Sequence, residues 1–525
     1  MSLTPPLLPR ISDYVSWWAE RTPEAEAAVL GDMRVTYAQL SRSIDELARA
    51  LLAAGVGKGD RVATLQTPHP DFLVAFLATA SIGAIWVGLN PRYRIGELTH
   101  VVTDAMPAVL LARTSIEDRN YESDIAALAA LDGGPRRVVA FAGEPAAKGV
   151  ETMADFLAAG AQVSDRQLAA ARAACGGRDP CLIVYTSGST GTPKGALLHH
   201  DGIARFCLEL NRLWPVDPFR VVNYFPINHV GCVIDCSMPC VVAGGGLIFM
   251  EQFDPAGCLD LMVRERVTLW GSVPSVFQMQ VSLPDFADYD LSAVQIIMWG
   301  GAAMPVELIR RLQEIQPLMA TNYGMTETTS AITVVTPTSD IDILSGSVGE
   351  AFPGVEVRLV DAEGRLAAPG QEGEIQARSG YNLLGYWRRP EATAQAFTED
   401  GFFRTGDLAV QRPDGRYRIS GRLKEMFKSG GYNVYPREVE MVLEAHPAIA
   451  QAAVVSAPDP VWQEIGVAYV EPRAVVDLAE LEAHCRAHLA NYKVPKRFVV
   501  DPQLPLLPIG KIDKVTLKRR AAGEA

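Results

Sequence analysis

The residues with the most chemistry per unit length are Tyr185-Thr186-Ser187-Gly188-Ser189-Thr190-Gly191-Thr192-Pro193-Lys194-Gly195. They follow an apolar stretch, Cys181-Leu182-Ile183-Val184, that reads as a short buried strand. A loop of Gly, Ser and Thr closing on a lysine offers backbone N–H groups, hydroxyls and one ammonium at close quarters, which suits a polyphosphate. The spacing is not that of a Walker loop. Pro193 precedes Lys194 and Gly195 follows it, where a P-loop would place a Ser or Thr for magnesium. The chemistry expected is therefore nucleoside triphosphate binding without the usual γ-phosphoryl machinery.

Two other groupings invite a chemical reading. His229, Cys232, Cys236 and Cys240 fall at helical spacing. That pattern fits either a metal site or a core helix that uses small cysteines, and Pro239 disturbs the helix before Cys240. Cys175, Cys181, Cys207, Cys258 and Cys485 have no ligand spacing. Basic residues gather at Lys493, Lys496, Arg497, Lys511, Lys514, Lys518, Arg519 and Arg520, as a solvated tail or as contacts for an anionic ligand.

The elements that must position these groups alternate between helix and strand. Tyr37 to Ala54 carries Leu40, Ile44, Leu47 and Leu51 at helical spacing, stops at Gly55 and is followed by a strand at Arg61 to Leu65. The alternation recurs to Leu111 and predicts parallel sheets covered by helices. From Gly354 short strands and turns take over, with a hairpin at Asp414-Gly415, and predict a small β-barrel-like subdomain. After Arg422 to Glu425 the chain turns βα-like again. The expected organisation is α/β: a domain over 1–421, a hinge at 422–425 and a small mobile α+β domain over 426–525. Val230 to Met250 is long and apolar, but Pro239 and Gly244-Gly245-Gly246 divide it into a helix and a strand rather than a membrane span.

At 525 residues the chain exceeds one ordinary core, and a net charge of −13 argues against a general nucleic-acid or anionic-membrane binder. The first residues lack a basic start and a long apolar run, so no secretory signal is expected. Eight cysteines in a chain this long do not make a disulfide framework, and a cytoplasmic location fits them.

Five further motifs follow the loop in order: Asn322-Tyr323-Gly324-Met325-Thr326-Glu327-Thr328, Arg404-Thr405-Gly406-Asp407-Leu408, Gly421-Arg422-Leu423-Lys424-Glu425, Ser429-Gly430-Gly431-Tyr432-Asn433-Val434-Tyr435-Pro436, and Pro508-Ile509-Gly510-Lys511-Ile512. With them the sequence closely resembles the adenylate-forming superfamily, which comprises acyl-CoA synthetases, adenylation domains of nonribosomal peptide synthetases, and luciferases. It is most like a stand-alone acyl-CoA synthetase.

The resemblance implies ATP, Mg2+ and CoA as cofactors and co-substrates. It assigns Thr186, Ser187, Gly188, Ser189, Thr190, Gly191 and Lys194 to the β- and γ-phosphates. Gly301, Ala302 and Ala303 would flank the nucleotide together with Asn322, Gly324 and Met325. Tyr323 would stack on adenine, Thr326 bind a phosphate oxygen, Glu327 ligate magnesium, Asp407 accept the ribose hydroxyls and Arg422 donate to ribose or phosphate. Lys511 would stabilise the charge that builds as a carboxylate attacks the α-phosphorus. Lys424 matches the hinge position, and Lys428, Ser429, Gly430 and Gly431 would meet CoA. A carrier protein in place of CoA, and a homodimer, are the partner arrangements left open. A non-catalytic nucleotide sensor is the competitor of another class; it would require loss of Lys511 or Glu327, and both are present.

For the acid, the resemblance points to His229, Val230, Cys232, Val233, Trp299, Gly300, Gly324, Ser330 and Ala331. His229 reads as a pocket gate or as a core histidine, and Asp235 as facing an amino or hydroxyl group or as a helix-surface contact. Trp299 is expected to fill part of the tunnel and to limit the acid to a ring or a short-to-medium chain. The largely uncharged set predicts an apolar acid: medium-chain fatty, alicyclic or aromatic.

Overall fold

A computed structural model describes residues 4–142, 149–186, 193–429, 432–507 and 510–523. Ser187, Gly188, Ser189, Thr190 and Gly191 of the loop, Gly430 and Gly431, and Pro508 and Ile509 lie outside the described residues.

The alternating first third forms an eight-stranded sheet. Its strands run, edge to edge, Gly385–Tyr386, Lys194–His199, Pro180–Thr186, Ile85–Leu89, Arg61–Leu65, Val109–Ala112, Arg137–Ala140 and Val150–Thr152. All neighbours from Pro180–Thr186 onward are parallel, whereas Lys194–His199 pairs antiparallel on both sides. The period of two along these strands sends alternate residues to opposite faces. Val62, Trp86, Leu182 and Val184 enter one core, and Ala63, Leu65, Val87 and Ile183 another. Both faces are therefore covered, as the near-continuous apolar strands require.

The helix Tyr37–Ala53 forms where its periodicity predicts. The Thr36 hydroxyl accepts from the Gln39 N–H at 3.2 Å, and the Gln39 side chain accepts from the Thr36 N–H at 2.8 Å, which satisfies two orphan groups of the first turn. Leu40, Ile44, Leu47 and Leu51 form its buried face.

A second sheet runs Leu269–Ser272, Ile296–Trp299, Met319–Tyr323, Thr333–Thr338 and Glu350–Ala351, parallel through its first three strands. A third joins Arg220–Asn223, Gly246–Phe249, Glu26–Leu30 and Met33–Thr36. The barrel-like piece expected after Gly354 is a four-stranded antiparallel sheet, Val355–Val360, Glu372–Ser379, Phe403–Gln411 and Tyr417–Arg422. The Asp414-Gly415 turn sits between its last two strands.

Two further cores consist wholly of residues between Phe427 and Ala521. They cover a sheet of Tyr432–Val434, Phe427–Ser429, Gln463–Pro472 and Ile449–Asp459, with Arg497–Val500 parallel to Gln463–Pro472.

The apolar segment Val230 to Met250 resolves into a π-helix, Gly231–Ser237, that passes into an α-helix, Met238–Ala243, and then the strand Gly246–Phe249. Pro239 does not break the run. It occupies the first turn of the α-helix, where a missing N–H costs little. Among the described residues no helix is long and apolar enough to cross a membrane.

Candidate active site

The ends of three elements meet where the loop leaves its strand. Thr186 closes the strand Pro180–Thr186, and its hydroxyl donates to Glu327 Oε1 at 3.2 Å. Glu327 sits on the 3-10 turn Thr326–Thr328. The Tyr386 hydroxyl donates to the same carboxylate oxygen at 3.0 Å, and Lys194 Nζ lies 5.6 Å from the centre of the Tyr386 ring. The loop's entry and exit residues, the carboxylate expected to ligate magnesium and an aromatic hydroxyl thus share one corner. Tyr185 anchors that corner through its hydroxyl on Asp104 at 2.8 Å, and Arg389 reaches the same Asp104 at 2.7 Å. Tyr386 and Asp104 were not found by sequence reasoning. The Gly385-Tyr386-Trp387 aromatic pair, just ahead of the helix starting at Pro390, was the available signal for Tyr386; nothing marked Asp104.

A second cluster surrounds Asp407. The Tyr323 hydroxyl donates to one carboxylate oxygen at 2.7 Å and Arg422 Nε to the other at 2.9 Å. Burial raises Asp407 above the usual carboxylate range, and Arg422 and Tyr323 pull it back. Tyr323 ends the strand Met319–Tyr323, Asp407 lies in Phe403–Gln411, and Arg422 is its antiparallel partner in Tyr417–Arg422.

Lys511 enters from the C-terminal segment. The Lys511 carbonyl accepts from the Leu507 N–H at 2.7 Å, and the Gly510 N–H donates to the Leu507 carbonyl at 2.8 Å, so a tight turn presents the lysine. The Ser275 hydroxyl donates to the Gly510 carbonyl at 2.6 Å and fastens that turn to the helix Pro274–Val281. The lysine side chain lies over Gly301, where a Cβ would fall 2.7 Å from Lys511 Cε. Gly301 also has φ +81°, a conformation that favours glycine, and its missing Cβ leaves the lysine end its place. Burial lowers the Lys511 ammonium, as does the Arg422 charge, while Asp407 and Asp235 oppose the shift. Ala302 and Ala303 follow Gly301 and are exposed.

The wall expected to hold the acid is more uneven than the sequence predicts. Cys232, Val233 and Ala331 pack into the first core, as does Val230, and Trp299 is 2% exposed in the second core, the one that also holds Phe277 and Met304. The cause is the helix face: in Gly231–Ser237 the cysteine and aliphatic residues turn inward, and His229 and Asp235 retain accessible surface. Asp235 is thus neither a solvent-facing helix contact nor part of the apolar core. The Gly231 N–H donates to His229 Nδ1 at 2.9 Å, which places the ring proton on Nε2. Burial and the Lys511 charge lower His229 to about 4, so it is neutral.

Opposite this helix, Thr329 and Ser330 both hold positive φ, +50° and +80°, a conformation that costs non-glycine residues energy. The Thr329 hydroxyl on the Tyr381 carbonyl at 2.5 Å and the Asn322 amide on the Ser330 hydroxyl at 3.2 Å hold them there. The Ser330 carbonyl passes so close to Gly324 that a Cβ there would lie 1.5 Å from it. Gly300 has more room, the nearest atom to an added Cβ being Asn322 Oδ1 at 3.2 Å. Thr326 is buried on its 3-10 turn, and Met325 lies beside it, partly buried.

Of the residues expected to meet CoA, the described ones, Lys428 and Ser429, are not brought to this centre. Lys428 is exposed with its amide on Glu464 at 3.3 Å, and Ser429 is buried and pairs with Tyr432 and Gln463. Lys424 is exposed in the turn after Arg422. The four cysteine and histidine positions form no metal centre: all eight cysteines are free and buried, and burial raises the thiols of Cys232, Cys236 and Cys240. Among the described residues no group of three His, Cys, Asp or Glu is arranged to hold a metal. A cavity of about 340 Å³ adjoins the centre through Gly510, lined by Asn90, Tyr224, Phe225, Phe253 and Leu506 among others.

Comparison with known proteins agrees with this geometry. Residues 15–387 match the AMP-binding enzyme family and residues 438–511 the AMP-binding enzyme C-terminal domain. A feruloyl-CoA synthase from Amycolatopsis is 37% identical over 508 residues, covering 96% of this chain and 97% of the relative. An indoleacetate–CoA ligase from Aromatoleum aromaticum is 32% identical, covering 98% of each chain. Among solved structures, ATP-bound MatB from Rhodopseudomonas palustris superposes with a TM-score of 0.84 at 31% identity, covering 97% of this chain and 98% of that one.

Proposed function

The chain belongs to the AMP-binding enzymes, and on that premise we propose that it is an ATP-dependent carboxylate–CoA ligase acting on an apolar, ring-bearing acid. The observation that carries the reading is the convergence of Lys511, from the C-terminal segment, on Gly301, within the electrostatic reach of the Asp407–Arg422 pair. The feruloyl-CoA and indoleacetate–CoA relatives support an aromatic acid.

In the first step a carboxylate oxygen of the acid bonds to the α-phosphorus of ATP, and the bond to pyrophosphate breaks. The carboxylate needs no general base. What it needs is in-line placement and stabilisation of the charge on the phosphoryl oxygens. Lys511 supplies an ammonium for that charge. It acts in a desolvated position, where a charge is worth more than in water. Thr186 and Lys194, with the loop between them, hold the leaving pyrophosphate. Asp407 accepts the ribose hydroxyls, using lone pairs that Tyr323 and Arg422 leave free. Glu327, with the Thr186 and Tyr386 hydroxyls around it, offers the hard oxygen donors magnesium takes; it would hold the ion, which would supply charge neutralisation for the phosphates.

In the second step the CoA thiolate attacks the acyl carbon and AMP leaves. We propose that the chain pivots at 422–425, with Lys424 absorbing the dihedral change, and that residues 426–525 turn as one body. Glu425 bonds Lys514 at 2.6 Å, and Lys514 bonds the buried Glu440 at 2.9 Å. This ties the end of the hinge to the C-terminal core, while the Leu423 N–H is held by the Gly406 carbonyl at 2.9 Å, which leaves Lys424 as the joint between them. Withdrawing the Leu507–Lys511 turn would clear the inner end of the 340 Å³ cavity, which we take as the thiol's approach. Lys428, Ser429, Gly430 and Gly431 would then line it. Free CoA is our choice of acceptor over a carrier protein.

The test is pyrophosphate release across a panel of carboxylic acids, with and without CoA, for the wild type and Lys511→Ala. The expected result is acid-dependent release and acyl-CoA formation. Lys511→Ala should slow adenylation by roughly 10²–10³-fold while sparing thioester formation from supplied acyl-AMP. Equal loss of both steps refutes the role of Lys511, and no release with any acid refutes the ligase reading.

A further inference from the structure

Asp235 is the one carboxylate on the accessible face of the helix that walls the acid side of the site. It lies four residues into the π-helix Gly231–Ser237, a geometry that is rare and concentrated at functional sites. The π-turn is held by a buried network rather than left to chance. Asn223 Nδ2 donates to the Cys232 carbonyl at 3.1 Å and to Ser237 Oγ at 2.9 Å, and Ser237 Oγ donates to the same carbonyl at 2.7 Å. These bonds satisfy a backbone group that the wider turn would otherwise strand, and they fix where Asp235 points.

The carboxylate itself is poorly served. Its Oδ1 is sealed from solvent and meets no donor among the described residues. The Ser330 hydroxyl approaches the group, and the Lys511 charge is felt there, but no basic side chain among the described residues pairs with it in a salt bridge. The remaining titratable neighbours, Cys207 and Cys236, are buried thiols raised by burial and by Asp235 itself. Burial holds the Asp235 carboxyl at about 6, well above the usual range. An unpaired buried acceptor of this kind costs the fold free energy, and such groups persist where something else completes them. Here the neighbours Ser330 and Lys511 are both residues of the proposed substrate site, and Asp235 as a residue is partly exposed.

We infer that the acid carries, on its otherwise apolar body, a hydrogen-bond donor, a hydroxyl or an N–H, and that Asp235 receives it. The inference rests on the ligase reading above and narrows its substrate class: a plain hydrocarbon acid of the same shape leaves Asp235 unpaired and is turned over poorly. A site built to bond a polar substituent discriminates against the analogue without it far more sharply than an apolar pocket discriminates by size.

The test compares matched acids by kcat/KM for pyrophosphate release: 3- and 4-hydroxycinnamic acid against cinnamic acid, and indole-3-acetic acid against its N-methyl derivative, with octanoic acid as an aliphatic reference. The wild type should favour the donor-bearing member of at least one pair by roughly 10- to 100-fold. Asp235→Leu should bring that ratio near one, mainly by slowing the donor-bearing acid, and the isosteric Asp235→Asn should retain part of it. Ratios near one for every pair in the wild type overturn the inference, and this requires no variant to fold. So does an equal loss on both members of a pair in Asp235→Asn, which would assign Asp235 to the support of Lys511. No pyrophosphate release with any acid, octanoic included, overturns the ligase reading instead.

Discussion

Gly301→Ala separates the two half-reactions without touching a group that reacts. An added Cβ would stand 2.7 Å from Lys511 Cε and 3.3 Å from Nζ, against 3.4 Å or more for ordinary contact. The other nearby atom is Val273 Cγ1 at 3.9 Å, so the lysine must yield. Its end is flexible, and the ammonium retreats by about 0.7 Å, close to the misplacement of 1 Å that costs roughly 10²-fold in rate. The φ of +81° adds a strain of about 1–2 kcal/mol for alanine, which appears as lost stability. The clash exists only while Lys511 is inserted, so the substitution also shifts the domain equilibrium toward the withdrawn state. Single-turnover pyrophosphate release should fall roughly 10²-fold, and thioester formation from supplied acyl-AMP should hold or rise. If both steps fall together, or if adenylation is unchanged, the placement of Lys511 against Gly301 is not what sets its rate.

Ser275→Ala removes the hydroxyl from the Gly510 carbonyl at 2.6 Å. A net loss of about 1 kcal/mol from the inserted turn should slow adenylation roughly fivefold with little effect on the thiol step; equal slowing of the two steps in stopped-flow assays would remove Ser275 from the positioning of Lys511. Asp235→Asn should stabilise the protein in a pH-dependent way. Burial holds the folded carboxyl at about 6, against 3.8 for an unperturbed aspartate. The raised value means the buried group costs nothing below the lower figure, and its cost grows as pH rises to the higher one. The gain in urea unfolding should therefore be near zero at pH 3.5 and approach about 3 kcal/mol above pH 6.5. A gain independent of pH would show that ionisation is not its source.

The nucleotide side of the site was legible because its chemistry is written in short contiguous runs. Thr186, Glu327, Asp407, Arg422 and Lys511 each stand inside such a run, and local sequence fixes the turns that present them. Lys511 needs Gly510 beside it, and Tyr323 precedes the Gly324 that the Ser330 carbonyl demands. The parallel sheets were legible for a related reason: strands buried on both faces read as apolar runs separated by helical periods. Tyr386 and Asp104 escaped because their roles come from contacts between residues far apart in sequence, Tyr386 with Glu327 and Asp104 with Tyr185 and Arg389, and single residues carry no spacing signal. The acid side is less legible. The resemblance points to Cys232 and Val233 beside His229 for the acid, but the wider turn of the π-helix Gly231–Ser237 sets which of its residues are covered, and Asp235 is the one left partly exposed. A change in helix type is invisible to a pattern that assumes 3.6 residues per turn.

The same helix explains why the two halves of the site differ in how they are built. ATP and pyrophosphate are the same in every turnover of the proposed chemistry, and the groups we propose to meet them are charged side chains locked by partners: Asp407 by Tyr323 and Arg422, Glu327 by Thr186 and Tyr386. On the helix we propose as the wall for the acid, the one charged group, Asp235, is left without a partner on one oxygen. Burying that group costs stability, whereas pairing it internally would remove its capacity to select. The Asn223–Ser237 network restrains the helix without reaching the carboxylate, which keeps Asp235 rigid in position and open in valence. A rigid acceptor with one free lone-pair direction discriminates by loss: the wrong acid leaves it buried and unsatisfied, and that penalty, more than any gain with the right acid, sets the specificity.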